Sequence, residues 1–159
     1  MPIEIRATTL EDAGTISALN ADVQQIHADA YPWRFKQPGP RTFTVSDAKD
    51  LLNSPGYFSF LAFGDGAPIG YILAEIVRRP ETARQFEHQM IYIHEISVRP
   101  SARRKGVGRS LLDAAKAHGQ SLGIPMVAVD TWLFNEDALL FFKKNGLVPC
   151  NVRLWNKGE

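Results

Sequence analysis

Residues 98–108, V-R-P-S-A-R-R-K-G-V-G, join an apolar strand pattern to an amphipathic helix pattern. The turn between them carries Arg103, Arg104 and Lys105 together with Gly106 and Gly108. A glycine lets backbone approach a ligand closely, and a helix start offers unpaired N–H groups at the positive end of its dipole. Such a strand–turn–helix suits a phosphate-bearing ligand and commits the chain to a fold of strands and helices together.

The rest of the composition keeps that suspicion local. The formal net charge of +1 gives no global field calling for nucleic acid. The 159 residues, 45% hydrophobic and 22% charged, fit a single domain over 1–159 with a sizeable core. Cys150 is the only cysteine, so an internal disulfide and a thiolate zinc cluster are both excluded, and no metal is expected. The opening M-P-I-E-I-R lacks a signal-peptide pattern and no apolar run is long enough to span a membrane. A cytoplasmic protein without a membrane partner is expected.

Hydrophobic periodicity divides the chain into alternating elements. Ile3 to Ala7 reads as a strand, and Thr8 or Thr9 precedes a helical pattern of Ala13, Ile16, Ala18, Leu19 and Val23. Tyr31 to Pro40, with three prolines and three aromatics, reads as a loop or broken helix. A short helix over Asp47 to Leu52 is stopped by Asn53–Gly56. Tyr57 to Phe63 and Ile69 to Val77 read as a hairpin about Gly64-Asp65-Gly66, and Arg78 to His88 as a loop before a strand over Met90 to Val98. The next helix places Val107, Leu111, Ala115, His118 and Leu122 on one face, and Gly119, Gly123 and Pro125 are expected to end it. Met126 to Thr131 reads as a buried strand. Asn135 is a good helix cap, with Glu136 and Asp137 in the first turn and Lys143 and Lys144 in the last. Leu147 to Trp155 is expected to supply one or two closing strands. The order predicts one mixed α/β unit.

Which phosphate ligand the turn takes is narrowed by elimination. A Walker loop, G-x-x-x-x-G-K-[ST], is absent. A Rossmann fingerprint fails because Leu111 stands at its third glycine position. What remains is R-x-x-G-x-G, formed by Arg103, Gly106 and Gly108. It resembles the pyrophosphate loop of the GCN5-related N-acetyltransferase (GNAT) superfamily. In that family the loop follows an acidic-apolar-x-V-x-P strand, here Glu95 to Pro100. A downstream helix opens N-x-x-A and ends F-Y-x-x-x-G-F; this chain has Asn135, Ala138, Phe141-Phe142 and Gly146-Leu147. The match covers residues 92–147. It implies a mixed α+β acyl-CoA N-acyltransferase fold, with a mostly antiparallel twisted sheet splayed near its fourth strand, and acetyl-CoA as cosubstrate.

The resemblance also implies where the donor lies. The N–H groups of Arg104, Lys105, Gly106, Val107 and Gly108 would face the pyrophosphate, with charge from Arg103, Arg104, Lys105 and Arg109. The pantetheine arm would bond to backbone at Ser97 and Val98, the Val98 N–H would meet the oxyanion, and Asn135, Ala138 and Phe141 would line the other side. An alkylamine must lose a proton before it attacks, so a base is needed near the thioester. Glu95 is the candidate: it sits in an apolar strand where alternation gives it the face of Ile91 and Ile93, and desolvation there would raise its pKa. The family favours the same position. The alternative for Glu95 is a structural carboxylate bonded to a neighbouring strand or an arginine. His94 is a second candidate base, facing the opposite way unless a bulge intervenes. Phe142 departs from the family tyrosine that would protonate the leaving thiolate, so no general acid is assigned. Cys150 is read as a small core residue.

For the acceptor, the resemblance points between the first helices and the hairpin. His27, Tyr31, Trp33 and Phe35 are placed for that wall, although Trp33 and Phe35 could each simply cap the core. Arg34, Lys36 and Arg41 count against a strongly cationic polyamine, and Trp132 and Trp155 read as core or contacts of a homodimer. The expected activity is direct acetyl transfer from acetyl-CoA to a primary amine, with a small-molecule acceptor favoured over a protein or peptide. Two other classes remain: a CoA-binding sensor without catalysis, and nucleotide binding through the same loop.

Overall fold

The computed structural model describes residues 1–156 and 158. Its elements are β1 (Ile3–Ala7), α1 (Ala13–Ala30), α2 (Val45–Asn53), β2 (Tyr57–Gly64), β3 (Ala67–Arg79), β4 (His88–Val98), α3 (Val107–Ser121), β5 (Val127–Val129) and α4 (Glu136–Lys144). Short 3-10 turns precede α1 and α3. The strands form one sheet in the order β1-β2-β3-β4-β5. Four run antiparallel and β5 joins β4 in parallel.

Local chemistry accounts for most boundaries. Asp65 and Gly66 both have positive φ, the geometry that matches strand twist in a two-residue hairpin between β2 and β3. Thr44 and Asp47 form a reciprocal capping box at α2. Ahead of α1 the Thr9 N–H donates to the Asp12 carboxylate at 2.8 Å, and Arg6 also clamps Asp12 at 2.8 Å. That guanidinium holds the Asp12 carboxyl down at about 2.

The sheet has a core on each face. On one side Ile72 and Ile93 pack with Val107, Leu111, Leu112 and Ala115 of α3 and with Phe142 of α4. On the other, Leu61, Tyr71 and Leu73 pack under Ile16 and Leu19 of α1 and Ala48 of α2. Gly119 does not stop α3 as its type suggested. It is buried within the helix, where a Cβ would come 2.6 Å from Ile91, so it is a point of close approach to β4. Gly123, at φ +74, follows the helix end.

Four more expectations need correction. Leu122 is 49% exposed rather than on the buried face of α3. The strand expected over Met126 to Thr131 shrinks to Val127–Val129, and Met126 is exposed. Leu147 to Trp155 forms no strand. The Leu147 N–H is taken by the Phe142 carbonyl at the end of α4, and Pro149 has no N–H to give a ladder. Cys150 accordingly lies on the surface, not in the core.

Candidate active site

The decisive local feature is a β-bulge in β4. Leu73 of β3 pairs with Glu95 while Ala74 pairs with Ile93, so His94 is the extra residue. Alternation therefore breaks between Ile93 and Glu95. Ile93 stays in the core under α3, whereas Glu95 turns toward α1, so it does not share the Ile91–Ile93 face expected for it. His94 and Glu95 consequently sit on the same side of the sheet.

Glu95 is held by one oxygen. Its Oε2 accepts from the Tyr71 hydroxyl at 2.5 Å and from the Asn20 amide at 3.3 Å. Asn20 also donates to the Tyr71 oxygen at 3.1 Å. Burial, then the charge of Glu95, pushes the Tyr71 phenol well above its ordinary range, so it remains a donor. Among the described residues no hydrogen bond reaches Glu95 Oε1. The carboxylate is thus oriented yet keeps a free lone-pair face.

His94 is more fully engaged. Its Nε2 lies 2.9 Å from Glu75 Oε1, and its ring stacks on Tyr57 with centroids 5.0 Å apart and meets the edge of Tyr92 at 4.8 Å. Tyr92 donates to Asp130 at 2.5 Å, and burial together with that carboxylate pushes its phenol up to about 12.

Beyond Ile93 the β4–β5 ladder stops at Val129, leaving the end of β4 without a neighbour on that side. The Arg99 N–H donates to the Ile69 carbonyl at 2.8 Å. By antiparallel alternation Ser97 then bonds to Tyr71 on β3, while Ile96 and Val98 present their backbone groups to the gap. The Val98 carbonyl there accepts from Arg103 Nε at 3.0 Å, and no hydrogen bond takes the Val98 N–H among the described residues. Ser97 is buried and its hydroxyl donates to the Leu19 carbonyl, so it ties β4 to α1.

The turn that follows is shaped as an anion cradle. Arg104 and Gly106 have φ of 62° and 84°. The Ser110 N–H is bonded to the Gly106 carbonyl, so Val107, Gly108 and Arg109 have first-turn N–H groups with no partner inside the helix. No side chain caps this end, and residues 103–106 are exposed. Val107 fixes the turn by burying its side chain. Arg109 is only loosely paired, 3.8 Å from Asp113. A Cβ at Gly108 would come 3.2 Å from the Phe141 ring, so this glycine lets α3 and α4 close together beside Val98. Asn135 caps α4 by accepting the Ala138 N–H at 3.1 Å. These unpaired N–H groups and the open strand edge fit the pyrophosphate and pantetheine arm of a CoA thioester.

The residues expected to form the acceptor wall assemble as one aromatic cluster. His27 meets Phe35 at 5.0 Å and Phe134 at 5.8 Å. Tyr31 meets Trp33, Trp132, Phe134 and Trp155 at 5.0–6.1 Å. Trp33 is 71% exposed and does not cap the core. Trp132 and Trp155 belong to this cluster instead of the core. Sequence reasoning missed Asn20, Tyr71, Glu75, Asp130 and Phe134. A tyrosine inside the apolar run Ile69 to Ala74 was an available signal, because a buried phenol needs a partner. Beside Asn20 a cavity of about 270 Å³ opens between α1 and residues 38–42.

Residues 20–147 match the model of the acetyltransferase (GNAT) family. The chain belongs to the GNAT family. This GNAT enzyme is an acetyl-CoA-dependent N-acetyltransferase. It is 30% identical over 116 residues to aminoglycoside N(6')-acetyltransferase type 1 of Salmonella typhimurium LT2, covering 69% of this chain and 79% of that one. Among solved structures it resembles a Bacillus halodurans protein, BH1408 (a tetramutant), with a TM-score of 0.87 at 21% identity, over 96% of this chain and 97% of the other. It also resembles AAC(6')-Iy, solved with a bisubstrate analogue of CoA and acetylneamine, with a TM-score of 0.75 at 21% identity, over 100% and 99%. Among the described residues no cluster of three or more metal-ligating side chains occurs, and no helix is long and apolar enough to cross a membrane.

Proposed function

We propose that this GNAT enzyme acetylates a primary amine of a small molecule by direct transfer, with Glu95 as the base. The observation that carries the reading is the Glu95 carboxylate itself. One oxygen is fixed by Tyr71 and Asn20, the other is free, and the group stands where β4 parts from β5. Glu95 Oε1 takes one proton from the ammonium, directly or through a water, the freed lone pair attacks the thioester carbon, and the nitrogen's second proton passes to solvent as the tetrahedral intermediate collapses. The Val98 N–H donates to the oxygen that gains negative charge. The C–S bond then breaks and the thiolate leaves; a thiol pKa near 8.5 makes that departure feasible without a general acid. Phe142 is buried in the core and has no proton to give. His94, bonded to Glu75, orients the acceptor side. The Arg104–Arg109 backbone and the cations around it hold the pyrophosphate, and Asn135, Ala138 and Phe141 flank the arm.

The test is thiol release from acetyl-CoA across a panel of primary amines. Acceptor-dependent release supports the proposal, whereas tight acetyl-CoA binding without it would favour a CoA sensor. An aminoglycoside is the second reading for the acceptor, favoured by the similarity to the Salmonella enzyme. A cytoplasmic setting fits both readings and keeps Cys150 reduced.

Tyr71→Phe should lower kcat about tenfold and leave the KM for acetyl-CoA nearly unchanged. It removes a hydrogen bond to a charged group, worth about 1.5–3 kcal/mol, but leaves Asn20 in place. An unchanged kcat in steady-state assays would detach Tyr71 from the orientation of Glu95.

A further inference from the structure

Arg34 is exposed and lies over three rings of the aromatic cluster, with no ionic partner among the described residues. It sits just past α1, its N–H bonded to the Tyr31 carbonyl at 3.0 Å. Its guanidinium carbon lies 5.0 Å from the Trp132 ring centre, 5.6 Å from Trp155 and 5.7 Å from Phe35. Contact with ring faces leaves the in-plane N–H edge of a guanidinium available. Among the described residues no carboxylate pairs with Arg34; the ion pairs found involve Arg6, His94 and Arg109. A long side chain held by rings, with its donors unspent, is preorganised for a planar two-oxygen anion.

Two walls connect this guanidinium to Glu95. Along α1, Asn20, Gln24, His27 and Tyr31 follow one helical stripe, beginning at the Glu95 contact and ending in the cluster. Seven to eleven residues at about 1.5 Å each set a spacing of roughly 10–16 Å. Along the other wall, Tyr92 lies at the edge of His94 and bonds Asp130, and Trp132 follows two residues later. Glu75 is bonded to His94 and Asp130 to Tyr92, so each acid there already has a partner. Lys36 and Arg41 add positive charge on the same loop.

We infer that Arg34 selects the acceptor by binding a carboxylate, so that the favoured substrates are small amines carrying a carboxylate roughly 10 Å or more from the reacting nitrogen. Short peptides and ω-amino acids have this chemistry; three extended residues span about 10 Å. A polycation, by contrast, would meet an unpaired guanidinium. The inference rests on the acetyl-transfer reading above.

The test compares trialanine with its C-terminal amide, which share one amine and differ in the carboxylate, and adds neamine as a polycation. The wild type should favour the acid at least tenfold in kcat/KM, with the difference in KM. Arg34→Ala should bring that ratio near one by weakening the acid and sparing the amide. Arg34→Lys should keep part of it, because an ammonium lacks the bidentate edge. Quenching of tryptophan fluorescence by the acid but not the amide reads the subsite without turnover, through Trp132 and Trp155. The inference is overturned by a wild-type ratio near one. It is also overturned if Arg34→Ala weakens acid and amide alike, or if it improves neamine while leaving the acid-to-amide ratio unchanged, which would make the rings a cation cage that Arg34 merely fills. If no acceptor releases thiol while acetyl-CoA still binds, acetyl transfer to small amines is what fails; equal quenching by acid and amide would then overturn the carboxylate subsite as well, and quenching by the acid alone would keep it.

Discussion

Glu95→Gln is expected to lower kcat by about a hundredfold to ten-thousandfold, the range by which a positioned base accelerates proton transfer. Acetyl-CoA affinity should stay within about twofold. The substitution keeps size and shape, and the amide oxygen of glutamine can still accept from the Tyr71 hydroxyl and the Asn20 amide. What it removes is the basic oxygen at the Oε1 position. The loss should therefore depend on the acceptor. A strongly basic alkylamine arrives protonated and feels the full effect, while a weakly basic amine, already neutral, recovers much of the rate. Thiol-release assays with two amines of different basicity measure this directly. If Glu95 only ties β4 to β3 and α1, the variant would unfold at lower temperature and keep its kcat for both amines. That outcome would reject the base assignment.

Features whose signals are local were legible in the chain. The Asn135 cap, the charges at both ends of α4, the Gly106 start of α3 and the 64–66 turn each depend on a few consecutive residues, and the structure has them in place. The bulge at His94 could not be read this way. It is a mismatch in register between β3 and β4, so it belongs to the pair and leaves no pattern in either strand alone. Missing it placed Glu95 on the wrong face and hid Tyr71 and Asn20 as its holders. The aromatic cluster is similarly non-local, since it joins residues 31–35 to residues 132–134 and to Trp155. Val148, Val152 and Leu154 alternate as a strand would, yet all three are exposed. Alternation needs a ladder to become a strand, and β5 reaches only from Val127 to Val129.

Gly106→Val is expected to raise the Kd for acetyl-CoA by about thirtyfold or more while the protein stays folded. Gly106 has φ +84°, a conformation costing a β-branched residue about 1–3 kcal/mol. A Cβ there would meet no protein atom within 4 Å, so nothing in the core is displaced. The strain is instead relieved by turning the peptide planes on either side of residue 106. Those planes aim the unpaired N–H groups at the start of α3, where the pyrophosphate is proposed to sit, and about 2 kcal/mol of misdirected bonding corresponds to roughly thirtyfold. Gly106→Asn provides the contrast, because asparagine adopts left-handed geometry more readily, and its Kd should change only a few-fold. Calorimetric titration with acetyl-CoA and with S-acetylpantetheine, which lacks the pyrophosphate, separates loop damage from damage to the thioester end. The valine variant should lose affinity for the first and not for the second. Equal loss for both would move the pyrophosphate away from Gly106 and leave the Arg103–Gly108 turn as a tight connection bearing surface cations.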